Sequence, residues 1–152
     1  IEKAIYESCK IKKTIVQKDE KENGIRKILN FGHTFAHAYE ATLGYSNKLN
    51  HGEAVILGII SALKFSLKIK LIKISEFKLI IEHIKKTKLP LNIKKYFSSK
   101  NLNSILSFMT KDKKNTTKKI NLILLKKIGS ADINNQYNIS SIRGFLKKEL
   151  AN

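Results

Sequence analysis

A mainly α-helical domain with a small β-hairpin near its C-terminal end is the fold class this chain predicts, and three observations carry it. Through most of the 152 residues, apolar side chains recur at three- and four-residue intervals between charged ones, which is the helical period. Turn-forming residues, rather than long loops, separate those stretches. One run, INLILL (120–125), is short, continuously apolar and followed at once by the turn sequence KKIGS, as a strand would be.

The first stretch, 1–22, sets Ile1, Ala4, Ile5, Ile11, Ile15 and Val16 at near-helical spacing among charges. Asn23-Gly24 supplies its stop, because both residues tolerate the left-handed conformation that ends helices. A second helix is predicted over 25–43, closed by Gly44, with YSNKLN (45–50) as the loop behind it. A third, strongly apolar helix starts near His51 or Gly52 and runs to about residue 71. Ser75 is the expected N-cap of a fourth, which ends before Pro90. A shorter helix is expected over 101–110, then an exposed lysine-rich loop, the strand and turn, and a last helix capped by Ser140 or Ser141 that reaches residue 150. No repeat and no linker interrupts this order, so one domain is predicted over 1–152.

Composition narrows the function classes. The net charge of +18 raises a nucleic-acid-binding module as a reading. Its lysines, however, are scattered, and only two arginines occur, Arg26 and Arg143. Arginine is the residue suited to forked phosphate and base-edge contacts. The charge therefore reads as a solvated lysine surface compatible with an anionic small substrate, with no nucleic acid as partner. The longest apolar run, AVILGIISAL (54–63), falls short of the roughly 20 residues that cross a bilayer, so no membrane partner is expected. A single cysteine, Cys9, suits a reducing compartment, and a cytoplasmic location is the expectation. Because the chain opens on Ile1 rather than methionine, it reads as a piece of a longer polypeptide or a processed one.

The chemistry concentrates in NFGHTFAHAYEATLGYSNKLNHGEAV (30–55), which holds three of the four histidines. On a continuous helix, Arg26, Asn30, His33 and His37 fall within a sector about 60° wide. Ile28, Phe31, Phe35 and Ala38 take the opposite, core-facing side. A solvent-facing polar stripe would explain the amphipathicity but not the residue types, since this chain elsewhere fills polar positions with lysine. Two imidazoles one turn apart can bind a transition metal, or one can ligate while the other moves protons. His51 is the obvious further ligand, with Glu53 expected to steady an imidazole. Spacing alone leaves open which histidines hold metal. His83 has no such company and reads as a surface or structural residue. Lys12 and Asp19 share a face of the first helix, with Glu22 one turn on, so that helix could supply a base and an anion contact. The seven glycines form no phosphate cradle, so any nucleotide must be bound mostly elsewhere.

The run DEKENGIRKILNFGHTFAHAYEATLGY, followed by LNHGEAV, resembles the C-terminal domain of the 3-dehydroquinate synthase family. The resemblance covers residues 12–58 and resumes at Asp112-Lys113-Lys114 and INLILLKKIG. It implies a helical C-terminal domain of the dehydroquinate synthase-like fold. It further implies that His33 and His51 ligate Zn2+ (or Co2+), that His37 and Glu22 transfer protons, and that Lys12, Arg26, Asn30 and Lys113 contact substrate, with Lys114 the alternative to Lys113. The implied reaction is conversion of 3-deoxy-arabino-heptulosonate 7-phosphate to 3-dehydroquinate and phosphate in the shikimate pathway, with NAD as a transient oxidant. Homodimers are implied, and so is an N-terminal NAD-binding α/β domain, ending in a glutamate metal ligand, that precedes this region. The piece alone should then be inactive. Ala36 departs from the family's usual glycine and Tyr39 from its usual aliphatic residue. A cyclase acting on another sugar phosphate and a metal-dependent polyol or alcohol dehydrogenase are the competing enzyme readings. Glu22, Arg26 and the DKK motif speak against the dehydrogenase, because a simple alcohol needs no anion clamp.

Overall fold

A computed structural model describes residues 1–111 and 118–151 of the chain. The DKK motif with Lys113 and Lys114 lies outside the described residues. Among the described residues six α-helices carry the fold: α1 (Glu2–Lys18), α2 (His33–Thr42), α3 (His51–Lys68), α4 (Ile74–Lys85), α5 (Leu102–Lys111) and α6 (Ile139–Leu150). Four short strands are described between α5 and α6, β1 (Lys119–Asn121), β2 (Leu124–Lys127), β3 (Ser130–Asp132) and β4 (Gln136–Asn138). The mainly α class with a small β excursion is what the chain adopts. None of the described helices is long and apolar enough to cross a membrane.

The first helix stops at Lys18, earlier than the apolar spacing suggests, because Asp19 offers the chain a better partner than another helical turn. Its carboxylate accepts the backbone N–H groups of Asn23 (2.9 Å), Gly24 (2.8 Å) and Arg26 (2.9 Å). A short acidic side chain that satisfies the backbone locally competes with helix in this way. The turn it holds puts Glu22 at φ 56°, a conformation that costs a non-glycine residue energy. Glu22 therefore does not continue the face of Lys12 and Asp19.

The helix expected over 25–43 is also broken. Ile25–Asn30 forms a 3-10 turn, Gly32 takes φ +83°, and α2 begins only at His33. The break follows from how closely α2 meets α3. A Cβ added to Gly58 would sit 2.3 Å from the Gly32 carbonyl oxygen, and one added to Gly32 would lie 2.5 Å from the Ile59 nitrogen. Two backbones in contact leave no room for a side chain at either position. Ala36, whose nitrogen is 2.9 Å from that hypothetical Gly58 Cβ, is fully buried in the same seam.

Around the seam lies the core. Phe35, Tyr39, Phe65, Phe97 and Phe145 bring α2, α3 and α6 together, with ring centroids 5.1 to 6.3 Å apart. Tyr39 is wholly buried and its hydroxyl lies 2.7 Å from Ser61 Oγ, which satisfies both groups. Ile60, Leu63, Ile72 and Ile84 pack α4 onto the other side of α3. The β region closes the far end as two antiparallel pairs, β1 with β4 and β2 with β3, rather than one simple hairpin. Gly129, at φ +81°, makes the turn between β2 and β3. The pairing also resets the last helix. Lys118 accepts the Ile139 N–H (3.0 Å), Asn138 is still extended, and α6 starts straight from the strand instead of at a serine cap. Similarly, α4 begins at Ile74 with Lys73 in the N-cap position, two residues ahead of the expected Ser75 cap, since buried Ile72 already anchors the chain there.

Candidate metal and substrate site

His33 is the first residue of α2, His37 stands one turn on, and His51 opens α3. Bringing the third ring back to the first two is the work of residues 43–50. Gly44 and Tyr45 both take positive φ, at 66° and 54°, and the Tyr45 N–H donates to the Glu40 carbonyl (2.9 Å). That tight reversal, with Leu49 buried beneath it, turns α3 back along α2. The ring centroids of His33 and His51 are then 6.2 Å apart, those of His33 and His37 5.6 Å, and those of His37 and His51 6.4 Å. His83 lies exposed on α4, away from this group.

The three rings do not share one environment. His37 and His51 are exposed, whereas His33 is half-buried and its Nδ1 makes no hydrogen bond among the described residues. Burial holds the His33 imidazole below its usual pKa, and the rings of His37 and His51 press the same way against the backbone of Phe31 and Asn30. A neutral imidazole keeps one unprotonated nitrogen, the form a metal ion takes up. Zinc–nitrogen distances of about 2 Å place two imidazoles on one ion with their centres roughly 5 Å apart, the scale seen here. The donors thus fit a divalent ion held in part by histidine. Among the described residues, no group of three His, Cys, Asp or Glu side chains is close enough to hold it unaided.

Beside His33 and His37 opens a cavity of about 600 Å³ whose walls include Glu22 and Asn30 on one side and Asn121 and Asn134 from the β region on the other. Asn30 Nδ2 donates to Glu22 Oε1 at 2.7 Å, so the strained Glu22 backbone serves to aim its carboxylate along the cavity wall. Arg26 does not line the cavity: its Nη1 donates to the Glu20 carbonyl at 2.5 Å. Lys12 is exposed on α1 and does not line it either. The structure thus gathers Glu22, Asn30, His33, His37 and His51, and leaves Lys12 and Arg26 outside. Two residues escaped the sequence reading. Lys27 lines the cavity next to the turned-away Arg26, hidden in sequence among many lysines. Glu40 approaches His51 Nδ1 at 2.9 Å, while Glu53, expected in that part, accepts the Asn50 N–H (3.0 Å) at the helix start. Glu40 stands three residues past His37 on one helix, a spacing that signals neighbours.

A family model described as 3-dehydroquinate synthase C-terminal matches residues 1–115. The chain belongs to that family. Curated relatives agree with the assignment across its full length. It is 63% identical to the 3-dehydroquinate synthase of Pelagibacter ubique over 150 residues, covering 99% of this chain and 41% of that protein. It is 38% identical to the 3-dehydroquinate synthase of Bradyrhizobium diazoefficiens over 155 residues, with the same coverage, 99% and 41%. The chain therefore spans about two-fifths of the length of these relatives. Among solved structures it is similar to 2-deoxy-scyllo-inosose synthase, crystallised with carbaglucose-6-phosphate, NAD+ and Co2+. That match has TM-score 0.70 and 21% identity, covers 90% of this chain and 38% of the other, and establishes the shared fold. Family members thus carry the helical arrangement seen here within a longer polypeptide.

Proposed function

We propose that this chain is the metal- and substrate-binding domain of a 3-dehydroquinate synthase, converting 3-deoxy-arabino-heptulosonate 7-phosphate to 3-dehydroquinate and phosphate. The observation that carries the reading is the gathering of His33, His37 and His51 at the edge of a cavity that also holds the Glu22–Asn30 pair. His33 and His51 would hold a divalent metal, Zn2+ or Co2+, with a further ligand and NAD supplied by an upstream domain of the same polypeptide. When bound, the metal supplies Lewis acidity at the hydroxyl to be oxidised and NAD supplies a reversible oxidation.

The chain's own residues do the rest. His37, exposed at the cavity rim, takes or returns a proton at its imidazole nitrogen. Glu22, oriented by the Asn30 amide, is the second proton-transfer group. Asn30 and Lys27 face the cavity, where they orient an anionic sugar phosphate; Lys12 and Arg26 reach it only from an arrangement completed outside this cavity, and Lys113 remains a substrate contact by family resemblance. The single cysteine suits a cytoplasmic enzyme, and the family resemblance implies a homodimer.

The test is turnover by the full-length polypeptide. Phosphate release from the heptulosonate phosphate should depend on NAD and on metal, and His33→Ala or His51→Ala should abolish it. Turnover of glucose 6-phosphate instead would move the assignment to another sugar-phosphate cyclase, and turnover of glycerol to a dehydrogenase. Salt-sensitive DNA binding unaffected by His33→Ala would make the basic surface the functional one. The 152-residue chain supplied with NAD is expected to be inactive.

A further inference from the structure

We propose that Glu40 is a positioning residue that fixes the tautomer of His51 and so presents its Nε2 to the metal. The proposal rests on the metal reading above and extends it to a residue outside the histidine set. Glu40 Oε1 lies 2.9 Å from His51 Nδ1. Its side chain is only 12% exposed, whereas that of His51 is 63% exposed. A ring standing so far out in solvent has little packing beyond the neighbouring imidazoles, and the Glu40 carboxylate is its hydrogen-bonding partner among the described residues.

The chemistry fixes the direction. An ionised carboxylate only accepts, so in the neutral imidazole the proton must sit on Nδ1. Nε2 then carries the lone pair, and it is the nitrogen available on the side not taken by Glu40. Without such a partner, a neutral imidazole in water favours the proton on Nε2, the tautomer that blocks that nitrogen as a ligand. Carboxylate partners of this kind orient metal-binding histidines and raise their basicity.

Glu40 is placed to do this twice over. Its backbone carbonyl accepts the Tyr45 N–H (2.9 Å), pinning the start of the loop that delivers His51, while its side chain holds the ring delivered. Glu53, in the HGE sequence beside His51, is engaged with the Asn50 N–H and plays no such part.

The experiment uses the full-length polypeptide with 15N-labelled histidine and two readouts: the His51 tautomer without metal, and Co2+ affinity by chelator competition. Wild type should show His51 protonated on Nδ1. Glu40→Ala should move that proton to Nε2 and weaken Co2+ binding roughly 10- to 100-fold. Glu40→Gln, whose carbonyl oxygen still accepts from Nδ1–H, should keep the tautomer and most of the affinity. In a His51→Ala background, Glu40→Ala should cause no further loss, because the two act as one unit. If Glu40→Ala unfolds, Glu40→Leu removes the acceptor while filling the same space. A wild-type ring protonated on Nε2, or an equal loss of affinity with and without His51, would overturn the proposal. Failure of wild type to bind Co2+ would instead sink the metal reading, and the tautomer would still decide what Glu40 does.

Discussion

Helix α1 and the pair α2–α3 adjoin the same turn at residues 19–31, yet they are held by different means. Helix α1 contains no buried residue, and Ile1, Ile5, Tyr6 and Ile11 lie in solvent. Its principal neighbour is the 25–30 turn, to which the Asp19 carboxylate ties it. Helix α3 buries Ala54, Leu57, Gly58, Ile60 and Leu63 along one seam and a facing core, and α2 buries Phe35, Ala36, Ala38 and Tyr39. The histidines and Glu40 stand on the second, rigid framework, whereas Lys12 stands on the first. A site needs its reacting groups held within a fraction of an ångström, and only packed elements do that. The difference teaches which expected site residues are fixed by this domain and which depend on structure beyond it.

The comparison breaks most sharply in the core. Phe65→Ala removes a fully buried ring packed against Phe145 and Tyr137, and should cost about 3–5 kcal/mol in urea unfolding. Gly58→Ala adds one methyl where the Gly32 oxygen would be 2.3 Å away, and should cost about 1–3 kcal/mol by forcing α2 and α3 apart. Because His33 follows Gly32 directly, the same change should also weaken metal binding. A Gly58→Ala protein with wild-type stability would mean the two backbones are not in contact.

At the cavity, Lys27 separates the domain's own contribution from that of α1. Among the described residues its side chain has no hydrogen-bond or ion-pair partner, and it lines the cavity that Lys12 and Arg26 do not reach. In the full-length enzyme, Lys27→Gln should raise KM roughly tenfold, about one charge-assisted contact, with kcat nearly unchanged. An unchanged KM would return the anion contacts to Lys12 and Arg26.

The pH dependence of the metal-free protein gives a smaller effect with a definite sign. His33 is held below its ordinary value, so between its folded pKa and 6.5 the unfolded chain binds more protons than the folded one. Stability must therefore fall as the pH drops through that window, and rise again towards neutral pH. Asp19 is also held low, chiefly by the Arg26 N–H, but its contribution is lost only in acid, as the pH falls from the ordinary carboxylate value through the lower folded one. The urea midpoint should decline between about pH 7.5 and 5.5, and His33→Gln should flatten that decline. An equal slope in both proteins would place the titrating group elsewhere.

Much of this was legible in the residues, for identifiable reasons. Helical spacing located α1, and a strongly apolar run located α3, because their apolar positions recur regardless of what covers them; α6 was placed by a serine cap that the structure moves to Asn138. The grouping of His33, His37 and His51 was readable from residue types and from the Gly44 stop that returns the chain. Asp19 could not be read as the end of α1, since its bonds to the N–H groups of Asn23, Gly24 and Arg26 depend on the turn they create. Nor could Gly32: a periodic pattern runs through it, and only the approach of Gly58, 26 positions away, dictates the break. Glu53 was given the part that Glu40 takes because adjacency in sequence favoured it, while adjacency in space is set by the α2–α3 reversal.

The same limit applies to α1, where the apolar spacing was read correctly but says nothing of a partner. Ile5 is 58% exposed in this chain, so Ile5→Asn removes no packed contact and leaves a helix that already presents charge on its remaining faces. In the 152-residue chain the substitution should change stability by less than about 0.5 kcal/mol, as surface changes away from special features do. The measurement is the urea midpoint of both proteins at one pH, and its counterpart is Phe65→Ala in the same background. If Ile5→Asn cost as much as Phe65→Ala, α1 would be bearing on the core through contacts that its exposed stripe does not have. The distinction between a framework that holds the histidines and a helix that only adjoins it would then be lost.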